Sequence, residues 1–453
     1  MIDFFKLIYF ILVFKAILRC VYFWQLKEYR LDRFREFLTT SESGAYFLPT
    51  NRLLRPKFTL KVWLLIYLAF YFTLYLLNAF PQNRLWAAML AYLLLPVSVA
   101  VSVALLAPAT SLVYDLAIFL AKIKIHLTGS RLTVVGITGS YGKTATKEIL
   151  AHLLAGRYRV LKTPANVNTA VGVAKTVLTR LSPSHQVFVV EMGAYRRGEI
   201  QKICRLVTPQ IGVLTGINQQ HLGLFGSFSN LLATKYELIA SLPKNGLAVV
   251  NGANKFCRDL AKKTNHVPVR LYSKPKKAFK TNLLGSWQQL NIAAAVTVAR
   301  RFKVKPAAIK KLLFSIPSFK TALKVRRGEK GLTILDDSYN SNPAGFLAAV
   351  NFAKAKKARA KILVTAGIIE TGSAKKDIHE KLAHKSLSVF KQVTVTKKDT
   401  YRLFLAAAKK DQTKKLSFAP DFNQIIVSLK NQANPQSLVL FEGRFPEKLI
   451  ASL

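Results

Sequence analysis

The sequence is poor in cysteine and in acid. Its 453 residues hold three cysteines, Cys20, Cys204 and Cys257. An odd number at wide spacing excludes a disulfide framework and a zinc pattern, fits a reducing compartment, and leaves the thiols as small buried hydrophobes. Acid is scarce relative to base: 22 Asp and Glu face 68 Lys and Arg, a formal net charge of +46. Such charge suits a chain against an anionic bilayer, where each nearby Lys or Arg is worth about 1 kcal/mol. It also suits a nucleic-acid binder, or a general basic bias. The basic residues are spread along the chain and no aromatic-basic reading module accompanies them, so nucleic acid is not expected as a partner.

Two stretches near the front lack charge altogether. About 19 residues run from Lys61 up to Phe80, and about 23 run from Leu85 to Ala107. Both meet the roughly 20 residues that a helix needs to cross a hydrocarbon layer. Tyr and Trp near their ends suit the interface, and Pro96 is expected to kink the second. Phe4 to Trp24 is apolar but interrupted by Lys15 and Arg19, and reads as membrane-inserted, crossing or lying in the interface. No small-residue cleavage site succeeds it, so a cleaved signal peptide is not expected. The stretch Gln25 to Lys61 carries Lys27, Arg30, Arg33, Arg35, Arg52, Arg55 and Lys57, whereas the link Pro81 to Arg84 carries only Arg84. The positive-inside rule then puts the basic loop in the cytoplasm, the link outside, and the rest of the chain back in the cytoplasm. Ser111 to Leu127, mixed apolar and basic, is expected to pack along the bilayer surface.

Beyond Leu127 the chain is rich in chemistry. Leu132 to Ile137 is β-branched and apolar, a buried strand, and "GSYGKTATKEIL" continues it as loop and helix. The core Gly139, Ser140, Tyr141, Gly142, Lys143, Thr144, with Ala145 behind it, matches a phosphate-binding loop. Glycines let backbone N–H groups approach phosphate oxygens, and a helix N-terminus adds positive charge. Lys143 is expected on the β/γ-phosphates of ATP and Thr144 on magnesium. "VFVVE" reads as a strand ending at Glu191, where a carboxylate is well placed for a metal. "IGVLTGINQQH" reads as a strand running into His221, and "LLATKYELIASLPKNGLAVVN" as a helix with Lys235, a turn and a strand.

The order "GITGSYGKT", "TPANVNTAVG", "EMGAYRRGEI", "GINQQHLGLFGS", "ATKYEL", "GLAVVN" and "LDDSYNSNP" resembles the Mur ligases, most of all the branch that adds D-alanyl-D-alanine to the muramyl tripeptide. The resemblance runs from about Arg131 to the C-terminus. It implies an α/β architecture: a P-loop-type central domain at 128–321 and a Rossmann-like C-terminal domain at 322–453, behind an α-helical transmembrane region at 1–127. It also implies an ATP-dependent, ADP-forming amide ligase with two magnesium sites. Glu191 and His221 match ligands of the second magnesium, and Lys235 matches a carbamylated lysine, in which a cation becomes a carboxylate-like anion. Asn166 and Asn168 match the loop beside the phosphates, and Asn291 an adenine-side asparagine. Asp336, Asp337, Tyr339, Asn340, Asn342 and Pro343 match the motif at the junction with the last domain, Asp337 being expected on the nucleotide. Catalytic roles fall to Lys143, Lys235 and His221.

The tail alternates strands and helices around "LTILDDSY", "AKILVTAGII", "FKQVTVTK" and "SLVLFEG", which suits a small parallel sheet. Glu370 and Glu442 come after strands and are either contacts for the amine substrate or surface acids. Three departures stand out. The family's N-terminal domain for the uridine nucleotide is replaced by apolar helices, so the muramyl-peptide substrate is UDP-linked or lipid-linked. The adenine-side "G-x-H-N" reads Gly285 to Gln288, with Trp287 expected to stack where histidine would. Ala322 stands where an arginine is usual, with Lys320 or Lys324 to compensate. The expected protein is a multi-pass protein of the cytoplasmic membrane, a monomer with its catalytic domains in the cytoplasm and anionic lipid against it. Other readings are a polyglutamate-type ligase of the same fold, which "LDDSYNSNP" disfavours, and a nucleotide-binding scaffold, which would need no second metal.

Overall fold

The computed structural model describes residues 2–39, 43–48, 53–129, 131–218, 225–319, 322–339, 342–368, 374–446 and 450–453. The chain folds as two compact units, residues 1–116 and 117–453.

The first unit is helical. It contains α1 (Ile2–Leu26), α2 (Leu31–Leu38), α3 (Gly44–Phe47), α4 (Leu60–Ala79) and the start of α5 (Arg84–Thr128). Three of its helices are long and apolar enough to cross a membrane by length and composition. Helices α1 and α4 run antiparallel: Gln25 exchanges hydrogen bonds with the Lys57 backbone at 2.6 and 2.8 Å, while Phe10 meets Phe70 with ring centroids 5.7 Å apart. Val13, Ile17 and Val21 of α1, Leu65 and Ala69 of α4 and Leu95 and Val99 of α5 share one core. Arg19 is buried, and its guanidinium donates to the carbonyls of Leu48 (2.8 Å) and Phe47 (3.3 Å).

Helix α5 adds a protein-facing side to Ser111 to Leu127, the stretch expected along a bilayer surface. It has 45 residues and runs on through Pro96 and Pro108. At 1.5 Å per residue it is roughly 67 Å long, about twice a hydrocarbon layer. Its last turns do not form a separate surface element. Ile118, Ala121 and Ile125 pack on the core beneath the next sheet, and Lys124 Nζ donates to Leu178 O at 2.8 Å. Those apolar residues recur at three- and four-residue spacing, which turns one helix face toward protein.

The second unit holds two sheets. The first has the order β2-β3-β1-β4-β5-β6, all parallel, built from β1 (Thr133–Thr138), β2 (Val160–Lys162), β3 (Val187–Glu191), β4 (Ile211–Leu214), β5 (Leu247–Asn251) and β6 (Val269–Tyr272). Every residue of β3, β4 and β5 is buried, as continuous apolar runs in a parallel sheet require. The sheet is flanked by α6 (Lys143–Ala155), α7 (Ala170–Arg180), α8 (Glu199–Val207), α9 (Phe228–Ala240), α10 (Lys255–Lys262), α11 (Gln288–Arg301) and α12 (Pro306–Phe314). Side-chain caps start several of these: Thr169 accepts from Gly172 N and Ser227 from Asn230 N. The chain leaves β1 for β2 and β3 on one side and for β4 to β6 on the other. The switch point of the sheet therefore lies at the C-terminal end of β1.

The second sheet has the order β11-β10-β9-β12-β8-β7. Its strands are β7 (Lys324–Arg327), β8 (Thr333–Asp337), β9 (Ala360–Thr365), β10 (Gln392–Val395), β11 (Leu416–Phe418) and β12 (Ser437–Glu442). All pair in parallel except β7, an antiparallel edge strand on β8. Helices α13 (Pro343–Ala355), α14 (Lys375–Val389), α15 (Lys398–Ala407) and α16 (Phe422–Gln432) cover it. Helix α13 begins with Asn342 accepting from Gly345 N and with Pro343 at its first position. Phe346, fully buried on α13, anchors that face of the sheet. Phe346→Ala should cost about 3–5 kcal/mol, read as an earlier urea transition of the C-terminal residues in the full detergent-solubilised chain.

Candidate active site

The switch point is where the chemistry gathers. The loop after β1 carries Gly139 and Gly142 at φ 151° and 78°, values that side chains other than glycine resist. A Cβ on Gly142 would lie 2.6 Å from Asn291 Oδ1, so α11 closes one wall of the loop. Ser140 N donates to Gly216 O at 2.7 Å and Thr215 Oγ1 to Thr138 O at 3.1 Å, tying the loop to the end of β4. Helix α6 begins at Lys143 and points its free N–H groups into the loop. Lys143 is half-buried, and its Nζ folds back to donate to Gly139 O at 2.8 Å. Desolvation lowers its pKa, partly offset by the charge of Glu191.

Glu191 ends β3 beside β1, in register with Ile137, and is 2% exposed. Thr144 Oγ1 donates to its Oε2 at 2.9 Å and Asn168 Nδ2 to its Oε1 at 3.4 Å. The hydroxyl and carboxylate make a hard oxygen pair of the kind magnesium takes, with waters completing the shell. Among the described residues, no group of three or more His, Cys, Asp or Glu gathers to hold a metal. A site made of threonine, one carboxylate and a lysine is not such a group, and His221 lies outside the described residues.

No sequence motif marks Lys147, yet it belongs to the site. It sits one turn beyond Lys143 on α6, fully buried. Its Nζ lies 3.3 Å from Glu191 Oε2 and 3.4 Å from Glu148 Oε1, and donates to Pro164 O at 3.3 Å. These three contacts match the three donors of an ammonium. The only signal in the sequence is the four-residue spacing from Lys143, which places both lysines on one helix face.

Lys235 of α9 is 5% exposed and reaches the same cleft. The cleft, about 430 Å³, is lined by Gly139, Lys143, Asn168, Ala194, Phe225 and Lys235 among others. Lys235 Nζ donates to Ala194 O at 3.5 Å and lies 5.4 Å from the Phe225 ring centroid. Burial first, then the charge of Lys143, lowers its pKa to about 7, against the raising effect of Glu199 and Glu237. Glu237 accepts from Gly198 N and Gln201 N, and Glu199 from Tyr195 N and Arg196 N. Those bonds fix the loop that forms the far wall of the cleft.

The other expected residues divide. Asn168 joins the cleft, and Asn291 joins the loop wall while donating to Gln288 Oε1 at 3.0 Å. Asn166, at φ 63°, is hydrogen-bonded to Tyr339 from the junction after β8. Trp287, expected to stack on the adenine side, packs against the C-terminal core, with Phe352 edge-on at 6.4 Å. Glu442 is not a surface acid but 1% exposed at the end of β12, in register with Asp337. Burial raises the Asp337 pKa to about 6, against a hydrogen bond with Glu442 that lowers it. Asp336 accepts from Ser338 and pairs with Arg326 at 3.1 Å. Ala322 is buried and Lys324 stands on β7. Lys320, Asn340 and Glu370 lie outside the described residues.

A phosphate-binding loop at the switch point of a parallel sheet, with a threonine–carboxylate pair beside it and a buried lysine in its cleft, defines a P-loop enzyme that activates a substrate with ATP. The Mur ligase middle domain matches residues 137–305, and the Mur ligase, glutamate ligase domain matches 323–445, together more than half of the chain. The chain belongs to the Mur ligase family and is an ATP-dependent amide ligase. It is 26% identical to a UDP-N-acetylmuramoyl-tripeptide–D-alanyl-D-alanine ligase of Bacillus subtilis, over 73% of this chain and 76% of that one. Other matches are partial: 39% identity to the Synechocystis ligase of the same name over 29% of each chain, and 28% to the Buchnera aphidicola one over 53% of its length. The fold is similar to MurF from Acinetobacter baumannii (TM-score 0.67, 23% identity, 75% of this chain and 80% of that one). It is also similar to MurF from Thermotoga maritima in complex with ADP (TM-score 0.63, 26% identity, 75% and 82%).

Lys147→Met should lower stability by about 3–5 kcal/mol, because it leaves the buried Glu191 without its ion-pair partner, while Glu148 keeps Lys162; a fall in melting temperature checks it. Lys235 predicts a pH effect of known sign. Between about pH 7 and its unfolded value near 10.5, the unfolded chain binds a proton that the folded chain does not, so stability should rise with pH there. Thermal melts across that window should show the rise in the wild type and a smaller one in Lys235→Met.

Proposed function

We propose that this ligase joins D-alanyl-D-alanine, or a similar amine, to the carboxylate of a muramyl peptide on the cytoplasmic side of a membrane, through an acyl phosphate. The observation that carries the reading is one cleft lined by Lys143, Asn168 and a lysine, Lys235, poised to lose its proton near neutrality, with the Thr144–Glu191 pair bonded to Asn168 behind its wall. The substrate carboxylate attacks the γ-phosphorus of ATP and ADP leaves. The amine then attacks the acyl carbon, phosphate leaves, and the amine proton passes to solvent. Lys143 balances charge that would otherwise repel an anionic nucleophile, and Asn168 orients Glu191. Gly139, Ser140, Gly142 and Ala145 supply the backbone cradle, and Asn166, Asn291 and Asp337 border the nucleotide. Neutral Lys235 is the form that takes up carbon dioxide as a carbamate. Magnesium, held at one site by Thr144 and Glu191 and at a second by Glu191, His221 and the carbamylated Lys235, supplies Lewis-acid charge neutralisation when bound.

The apolar helices support a multi-pass anchor across residues 1–127, with ligase domains at 128–321 and 322–453 acting as a monomer in the cytoplasm. The positive-inside asymmetry supports that orientation, and the net charge of +46 supports contact with anionic lipid. Helices standing where the family binds a uridine nucleotide favour a lipid-linked muramyl peptide over a soluble one.

Lys143→Ala and Lys235→Ala should each lower amine-dependent ADP release at least about a hundredfold. Undiminished release in both would overturn the site. Mass spectrometry of the product, with UDP-linked and lipid-linked muramyl tripeptide offered separately with ATP, magnesium and D-alanyl-D-alanine, distinguishes the acceptors. Equal turnover of the soluble one would remove the lipid preference.

A further inference from the structure

An open groove of about 740 Å³ runs along the outside of the helical unit, lined by none of the residues of the cleft. Phe10, Phe14 and Leu18 of α1 and Phe70 of α4 line it, and the charged side chain on its wall is Lys15. Lys15 is exposed and forms no ion pair among the described residues. One turn on, Arg19 is committed to backbone carbonyls, so the two interruptions of α1 differ in kind. An unpaired cation in an apolar helix costs about 2.5–3.5 kcal/mol at the centre of a bilayer and less toward its edge, and an ionisable residue within such a segment is a candidate functional site.

The antiparallel pairing of α1 and α4 sets the depth of this cation. Phe10 is level with Phe70, ten residues into α4, and Gln25 is level with Lys57, just ahead of α4. Lys15 is therefore about 7 Å nearer the basic-loop end than Phe10, and about 7 Å short of the start of α4. Lys15 thus stands nearer the loop side of the groove, and Phe10 and Phe70 lie deeper, toward the layer's middle. The groove thus offers a hydrocarbon tail an apolar bed and an anionic head a single cation, in that order of depth.

We propose that this groove binds the lipid carrier of the acceptor, a polyprenyl phosphate, with its phosphate on Lys15 and its first isoprene units against Phe10, Phe14 and Phe70. The proposal rests on the membrane reading above. Ordinary phospholipid contacts every face of the helices and has no need of a placed cation; a basic pocket between helices on the cytoplasmic side selects a particular head.

Native mass spectrometry of the full chain in detergent tests it, with polyprenyl phosphate, phosphatidylglycerol and phosphatidylcholine added in turn to wild type, Lys15→Gln and Lys15→Arg. Polyprenyl phosphate should bind the wild type and Lys15→Arg, and bind Lys15→Gln at least tenfold more weakly. Phosphatidylglycerol should bind more weakly than polyprenyl phosphate, and phosphatidylcholine should show no dependence on residue 15. Equal binding of polyprenyl phosphate to all three proteins, or phosphatidylglycerol binding as tightly as polyprenyl phosphate, would overturn the proposal. ADP release with the UDP-linked substrate, measured on the same preparations, should be unchanged by Lys15→Gln. Absence of ADP release from every preparation with both the UDP-linked and the lipid-linked tripeptide would count against the ligase reading and not against the groove.

Discussion

A buried carboxylate governs this enzyme. Glu191 stands at the end of β3 with almost no access to water, and Thr144, Asn168 and Lys147 gather on its oxygens. The partners come from two pieces of chain: two successive turns of α6, and the loop after β2. The contacts around one carboxylate therefore also fix the phosphate loop against the sheet. Remove the anion and Lys147 loses its partner; remove Lys147 and the loop at Pro164 loses its tether. Buried ion pairs seldom add net stability over apolar packing, but a broken one is expensive. That asymmetry makes the arrangement rigid, and a rigid oxygen pair suits a cation that tolerates little distortion.

Lys235 shows the opposite use of burial. Among the described residues no carboxylate pairs closely with it; Glu199 and Glu237 act from a distance while accepting from the backbone of the cleft wall. Desolvation and the charge of Lys143 dominate, and the amine gives up its proton near neutrality. Two buried lysines of one site thus differ in their surroundings. Lys147 has carboxylate oxygens at 3.3 and 3.4 Å, whereas Lys235 faces a backbone carbonyl and a phenylalanine ring. In the helical unit the contrast recurs: two guanidinium nitrogens of Arg19 are held by backbone carbonyls, and Lys15 is left facing outward.

Much of this was legible in the sequence. The phosphate loop, Glu191 at a strand end, Lys235 on its helix and the alternation of the tail come from local pattern: β-branched runs, glycine before lysine, and helix spacing. The order of motifs gave the family. What escaped were pairings between distant segments. Lys147 looks like any helix lysine until β3 and the Pro164 loop close over it. Trp287 looks like a base-stacking aromatic until α13 brings Phe352 to its edge. Ser111 to Leu127 looks like an interfacial stretch until Ile118, Ala121 and Ile125 meet the core of the next sheet.

The sequence by itself determined which segments become strands or helices, which are apolar enough to cross a bilayer, and where phosphate can bind, because each depends on neighbours within a few residues. Only the tertiary structure decided which charges are buried together, that α5 continues unbroken into the second unit, and that Glu442 lies inside beside Asp337. Burial and the ionisation states it imposes belong to the space around a side chain, and that space is filled by residues far away along the chain.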